Sequence, residues 1–196
     1  MSKAISIEVL PALTPRGRLR RLATTDLAAF QAYRRDPDIG RFQGWSPQGD
    51  AEAGAFLAAM NAAPLFAPGA WSQIAIVDGA DALIGDIGVC LARDAETAEL
   101  GFTLAGAAQG RGLAREAVAA AIALVFRHTP ATRILCVTDE RNAPAQRLIA
   151  RLSMTLERQS PALFRGQACT EFHYALARDR WAGDSDARAN GDARDA

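Results

Sequence analysis

The run Leu104-Ala105-Gly106-Ala107-Ala108-Gln109-Gly110-Arg111-Gly112-Leu113-Ala114 constrains the fold of this chain more than any other feature. The residues before it, Thr97–Leu104, read as a strand. After it, apolar residues at 114, 117, 118, 121, 122 and 125 recur at helical spacing and predict a helix over Leu113–His128, ended by Thr129-Pro130. A strand therefore feeds through glycines straight into the N-terminus of an amphipathic helix. The first-turn amides of such a helix lack internal partners, and its dipole places partial positive charge there. Glycines let the backbone approach a bulky anion, and Arg111 adds a formal charge. Together these are the parts of a phosphate cradle, best suited to a pyrophosphate. A plain strand-to-helix turn that needs positive φ would use the same residues.

The surrounding chain narrows the topology. Ser72–Val77, Leu83–Leu91 and Thr97–Leu104 read as a three-stranded antiparallel meander, with Asp78-Gly79 as the first turn. Two further strands are expected upstream, over Ser6–Leu10 and Arg18–Leu22. Thr24-Thr25-Asp26 offers caps for a helix carrying Leu27, Phe30 and Tyr33 inward and ending before Pro37. Asp36–Pro47 reads as a loop, and Asp50–Asn61 as a second helix. Beyond the glycine run, Arg133–Thr138 is a strand of the buried type, Asn142 caps a short helix, and Met154–Arg158 pairs with Thr170–Leu176. One domain is expected over residues 1–181. The segment 182–196 offers only alanines to bury among Asp, Arg, Gly and Ser, and is expected to be disordered.

Charge and cysteine usage exclude several function classes. Among 196 residues, 22 Lys and Arg balance 22 Asp and Glu, which argues against a dedicated nucleic-acid or polybasic membrane binder. Cys90, Cys136 and Cys169 are far apart and odd in number, supporting neither a disulfide framework nor a metal knuckle. They read as small buried residues of a protein in a reducing compartment. The N-terminus lacks the long apolar run of a signal peptide, and the apolar stretch Ala117–Phe126 is too short to span a bilayer. A cytoplasmic location without metal or membrane is expected, and the sequence leaves the oligomeric state, a homodimer included, open.

The identity of the phosphate ligand separates three readings. A Walker A loop needs a Gly-Lys-Ser/Thr ending, which is absent. A dinucleotide fingerprint is nearly met by Gly110 and Gly112, but its third glycine position holds Arg115. Asp139, at the end of the next strand, would be placed for a ribose. Against a nicotinamide-dinucleotide fold, a meander precedes the motif and little chain follows it. The third reading comes from a resemblance. Gln109-Gly110-Arg111-Gly112-Leu113-Ala114 is similar to the Q/R-x-x-G-x-G/A acyl-CoA signature of the GNAT superfamily of N-acetyltransferases. Tyr33-Arg34-Arg35-Asp36-Pro37, Gln43-Gly44-Trp45, Leu83–Gly88, Ala98–Leu104, Arg141-Asn142 and Tyr174-Ala175-Leu176 resemble its branch of ribosomal-protein N-terminal (Rim-type) acetyltransferases, over roughly 18–181.

That resemblance implies an α/β (α+β) fold with a mixed, mostly antiparallel central sheet flanked by helices. In it the strand Glu99–Leu104 splays from Arg133–Thr138, and the pantetheine arm of acetyl-CoA fills the gap. Backbone groups around Phe102, Thr103 and Leu104 would bond pantetheine, and the amide near Leu104 would polarise the thioester carbonyl. Gln109 belongs to the signature, and the amides of Gly110, Arg111, Gly112, Leu113 and Ala114 would hold the pyrophosphate. Asn142 would lie beside the arm, while also serving as an N-cap. Glu99 is the expected general base, with His173 as alternative, and His128 reads as a helix-dipole partner. Gln43 and Trp45 would shape the pocket for the amine acceptor, a protein N-terminus or a small molecule. The chain departs from the family where Ala145 stands for a common Ser and Leu152-Ser153-Met154 for Leu-Gly-Phe. No tyrosine occupies that helix as a general acid. These departures keep a non-catalytic CoA-binding module as the competing reading.

Overall fold

The computed structural model describes residues 9–181. The expected tail at 182–196 and positions 6–8 of the first expected strand lie outside the described residues. The elements, in chain order, are β1 (Ala12–Thr14), β2 (Gly17–Arg21), α1 (Leu27–Arg34), α2 (Pro37–Gly40), α3 (Asp50–Ala62), β3 (Trp71–Asp78), β4 (Leu83–Leu91) and β5 (Thr97–Leu104). They continue with α4 (Leu113–His128), β6 (Arg133–Asp139), α5 (Ala143–Arg151), β7 (Thr155–Phe164) and β8 (Gln167–Ala177). All eight strands form one sheet in the order β1-β2-β3-β4-β5-β6-β8-β7. Every neighbouring pair is antiparallel except β5 and β6, which are parallel and joined through α4. The expected meander is β3–β4–β5.

Side-chain alternation sorts the strands into two faces. On one, Ile87, Val89 and Leu100 pack with Val118, Ile122 and Val125 of α4 and Ile149 of α5. On the other, Ala75, Val77 and Leu83 pack with Phe30 and Tyr33 of α1 and Leu57 of α3. The second helical layer covers the β2–β4 half of its face and leaves β6, β8 and β7 bare there. The end of α4 is fastened by Arg178, whose guanidinium donates to the carbonyls of Phe126, Thr129 and Ala131. His128 lies in its last turn with Arg127, where positive charge suits the dipole.

Three local expectations are corrected. Val9 and Leu10 are not strand; pairing begins after Pro11, where Ala12–Thr14 folds back on Gly17–Leu19. The segment read as a continuous loop contains α2, because Asp36 accepts from the amides of Asp38 and Ile39 and Pro37 occupies a first-turn position that needs no donor. The last strand pair is a much longer hairpin. Pro161 breaks the alternation that would reveal it, yet an edge strand tolerates proline.

Candidate active site

The parallel pairing of β5 and β6 is short: Thr97, Ala98 and Glu99 face Arg133, Ile134 and Leu135, and then the strands part. Which backbone groups face the gap follows from the ladders beside it. Ala105 N donates to Ile84 O, so in the β4–β5 register Thr103 and Gly101 bond β4 while Leu104, Phe102 and Leu100 turn towards the gap. Likewise Arg178 N donates to Thr132 O, so Leu135 and Val137 turn from β8 towards β5. Two strand edges thus face each other across an opening without bonding each other, a slot for an extended chain bearing amides. Among the described residues, the carbonyls of Phe102 and Leu104 there accept only from the side chains of Gln43 and Gln109.

The slot belongs to a cleft of about 430 Å³. Phe102, Thr103, Leu104, Gln109, Gly110, Gly112, Ala114 and Asn142 line it, with Cys136 and Val137 from the opposite strand. At its mouth Gly110 and Gly112 adopt φ of +72° and +81°, conformations that strain any residue with a Cβ. A Cβ built on Gly110 meets nothing within 4 Å, so open space lies before the loop. Gln109 Nε2 donates to Leu104 O at 2.9 Å and ties the loop to the strand. Arg111 is exposed at the loop tip, whereas the side chain of Leu113 is buried in the core, leaving only its amide for a ligand.

Four arginines escaped the sequence reading. Arg115, Arg147 and Arg151 line the cleft. The last two are one helical turn apart on α5, a spacing that was there to be read. Arg16, from the β1–β2 turn, donates to Arg111 O at 2.7 Å and to Glu116 at 2.5 Å, bracing the glycine loop from behind. No periodicity signals that contact, which spans 95 residues. Asn142 is the N-cap of α5. Its side chain accepts from Ala145 N at 3.3 Å and it also lines the cleft. Asp139 is held by Arg141 through two bonds of 2.8 and 2.6 Å, which pull its carboxyl down to about 2. Committed to that pair, it is poorly placed to take a ribose.

Glu99 and His173 do not line the cleft, but register puts them on one face beside its apex. Glu99 pairs with Leu135, Leu135 with Ala175 and Val137 with His173, on the face left bare by the helices. Ser160 Oγ lies 2.8 Å from His173 Nε2, and Glu171 Oε2 lies 3.7 Å from the same nitrogen. The Glu99 side chain reaches solvent, yet burial of its carboxyl pushes its pKa up; His173 opposes the rise and Glu171 adds to it. Cys136 is pushed up to about 12, chiefly by burial, so the cleft thiol is not a thiolate at neutral pH.

Gln43 lines the cleft and donates through Nε2 to Phe102 O at 3.3 Å. Trp45 does not line it; its ring rests on the guanidinium of Arg34, 4.4 Å from the centroid. Arg34 in turn reaches Asp86 at 2.5 Å, and Asp86 sits opposite Thr103 in the β4–β5 register. Among the described residues, no group of three or more His, Cys, Asp or Glu could hold a metal ion, and no helix is long and apolar enough to cross a membrane.

Residues 16–155 match the family model described as an acetyltransferase (GNAT) domain. Solved structures share the fold. One is an acetyltransferase of the GNAT family from Bacillus anthracis, 18% identical over 87% of this chain and 99% of its own, with a TM-score of 0.77. A GCN5-related N-acetyltransferase from Brucella melitensis is 17% identical over 93% of this chain and 86% of its own, with a TM-score of 0.76. RimL, a ribosomal L7/L12 alpha-N-protein acetyltransferase solved in complex with coenzyme A, is 14% identical over 87% and 98%, with a TM-score of 0.73. No protein of curated function matches the sequence significantly.

Proposed function

The chain belongs to the GNAT acetyltransferase family, and on that premise we propose that it moves an acetyl group from acetyl-CoA to a primary amine by direct attack in a ternary complex. The observation that carries this reading is the parting of β5 and β6 after Glu99, with left-handed glycines at the mouth of the gap. The residues present fit acetyl-CoA. The amides of Gly110–Ala114 and the arginines Arg115, Arg147 and Arg151 would take its phosphates, and the gap-facing backbone of Phe102 and Leu104, whose carbonyls each already accept one side-chain bond, its pantetheine amides. When bound, acetyl-CoA supplies an acyl group already activated as a thioester.

This chain must then orient an amine and remove its proton. Glu99, at the apex of the splay, is the proposed base, with His173 beside it as the alternative. Burial keeps Glu99 a better proton acceptor than an ordinary surface carboxylate. An α-amino group loses its proton near ~8, whereas a lysine amine needs ~10.4, so so mild a base favours an α-amine. A protein N-terminus, which the name of RimL gives as the acceptor of that enzyme, and a small α-amine both satisfy this chemistry. The thiol of Cys136 is too weakly acidic to form a covalent acyl intermediate readily, which supports direct transfer. Three unpaired cysteines fit a reducing cytoplasm.

The test is thiol release on mixing with acetyl-CoA and a panel of small amines and free-N-terminus peptides. Release that depends on the amine is expected, and acetyl-CoA binding with no release for any amine would establish the non-catalytic module instead. In Glu99→Gln, kcat should fall on the order of 10²–10⁴-fold with the Kd for acetyl-CoA unchanged. The wild-type rate should rise with pH until Glu99 and the amine are both deprotonated, and the variant should keep only the limb that belongs to the amine. An unchanged rate and pH profile in the variant would shift the role to His173 or to bulk water.

A further inference from the structure

The β7–β8 hairpin turns through Arg165 and Gly166, with φ of +50° and +76°. Two consecutive positive φ values define the turn that favours Asn-Gly or Asp-Gly, and an arginine in the first position is not what the turn itself prefers. The arginine is instead accounted for by what it reaches. Its Nη2 donates to Trp45 O at 2.7 Å and Gln43 O at 3.2 Å, across 120 and 122 residues of chain.

These two carbonyls belong to the loop between α2 and α3, which is fastened at two further points. Gln43 Nε2 donates to Phe102 O, the carbonyl that faces the gap, and the Trp45 ring rests on Arg34, itself tied to Asp86. Hairpin tip, loop and β5 therefore form a strap across the splay, on the sheet face that carries Glu99, Ser160, Glu171 and His173. An amine approaching Glu99 from that face passes the strap.

We propose that Arg165 is a positioning residue that sets acceptor selectivity: by latching the Gln43–Trp45 loop to the β7–β8 turn it fixes one wall of the acceptor entrance, so that α-amines with a small group on the amine-bearing carbon are admitted and those with a bulky one are not. This rests on the acetyltransferase reading above, and its test is chosen so that the two can fail separately.

Arg165→Asn deletes the latch while giving the turn its preferred Asn-Gly pair, so the hairpin is kept. Hydrogen exchange reads the latch directly and needs no substrate. The amide of Gln43, which donates to Gly40 O, should exchange about tenfold faster or more in the variant, while those of β7 and β8 stay protected. The Kd for acetyl-CoA should remain within twofold. With alaninamide and phenylalaninamide as probes, the ratio of their kcat/KM values should fall about tenfold in favour of the bulkier amine, and Arg165→Lys should restore part of it. Unchanged exchange at the Gln43 amide would overturn the latch, and faster exchange with an unchanged ratio would overturn its selectivity role. Failure of the wild-type protein to bind acetyl-CoA would instead strike the underlying reading.

Discussion

At Ser153 the backbone turns left-handed, with φ +60°, immediately after α5. The family pattern that the sequence resembles has Gly in the Leu-Gly-Phe where Leu152-Ser153-Met154 stands, and the structure supplies a physical reason: the position demands the conformation that costs an L-residue about 1–2 kcal/mol. Ser153→Gly removes that strain but loosens the unfolded chain, for a net gain of about 0.5–1 kcal/mol. Thermal unfolding should show a Tm higher by about 1–4 °C. A lower Tm would mean that the serine hydroxyl does more for the helix end than the strain takes away. Glu99 carries the opposite trade. Its folded pKa is raised, so its stability contribution is present below the unfolded carboxylate pKa and is lost as pH rises through the folded value. Once ionised, Glu99 works against the fold, so Glu99→Gln should raise Tm at pH values above its folded-state titration but not at pH 4. Sequence reading reached the identities of Glu99 and His173 but not their company, because Ser160 and Glu171 join them only through strand register. Trp45 shows the same limit. Its place in a loop was legible, but its resting place on Arg34 was not.

Among the elements, α1 carries the most charge-dependent contact of the fold. Arg34 is only 7% exposed and Asp86 2%, with the guanidinium packed 4.7 Å from the Phe30 ring centroid and 4.4 Å from that of Trp45. Burial pushes Asp86 up while Arg34 pulls it down. Removing one partner leaves a buried charge alone, so Arg34→Met should cost about 3–5 kcal/mol in denaturant unfolding. Adding Asp86→Asn should recover at least half of that loss. If the double variant is no more stable than the single one, the cost lies in lost aromatic packing around the guanidinium rather than in the stranded carboxylate. The elements themselves were unevenly legible. Thr97–Leu104, Leu83–Leu91 and Leu113–His128 could be bounded to the residue, because each has strong periodicity and a clear stop in Gly, Pro or Asp. The β7–β8 hairpin could not, since an exposed edge strand needs no apolar alternation and its turn uses an arginine where glycine or asparagine would announce it.

For the whole molecule, the general arrangement followed from one junction. A strand entering a glycine run and then a helix marks a place suited to a phosphate, and the antiparallel neighbours on both sides of the β5–β6 pair argue against a dinucleotide fold. What the sequence could not deliver was what contacts across about a hundred residues carry: the Arg16 brace, spanning 95, and the Arg165 strap, spanning 120. These are not written in spacing along the chain but in the closure of the sheet. The central claim is that the parted strands and their glycine mouth are an acetyl-CoA site. Calorimetric titration of the full chain with acetyl-CoA, alongside NAD, tests it most directly. Saturable binding of one acetyl-CoA per chain, with no heat from NAD, is the predicted result. Binding of NAD with none of acetyl-CoA would contradict it.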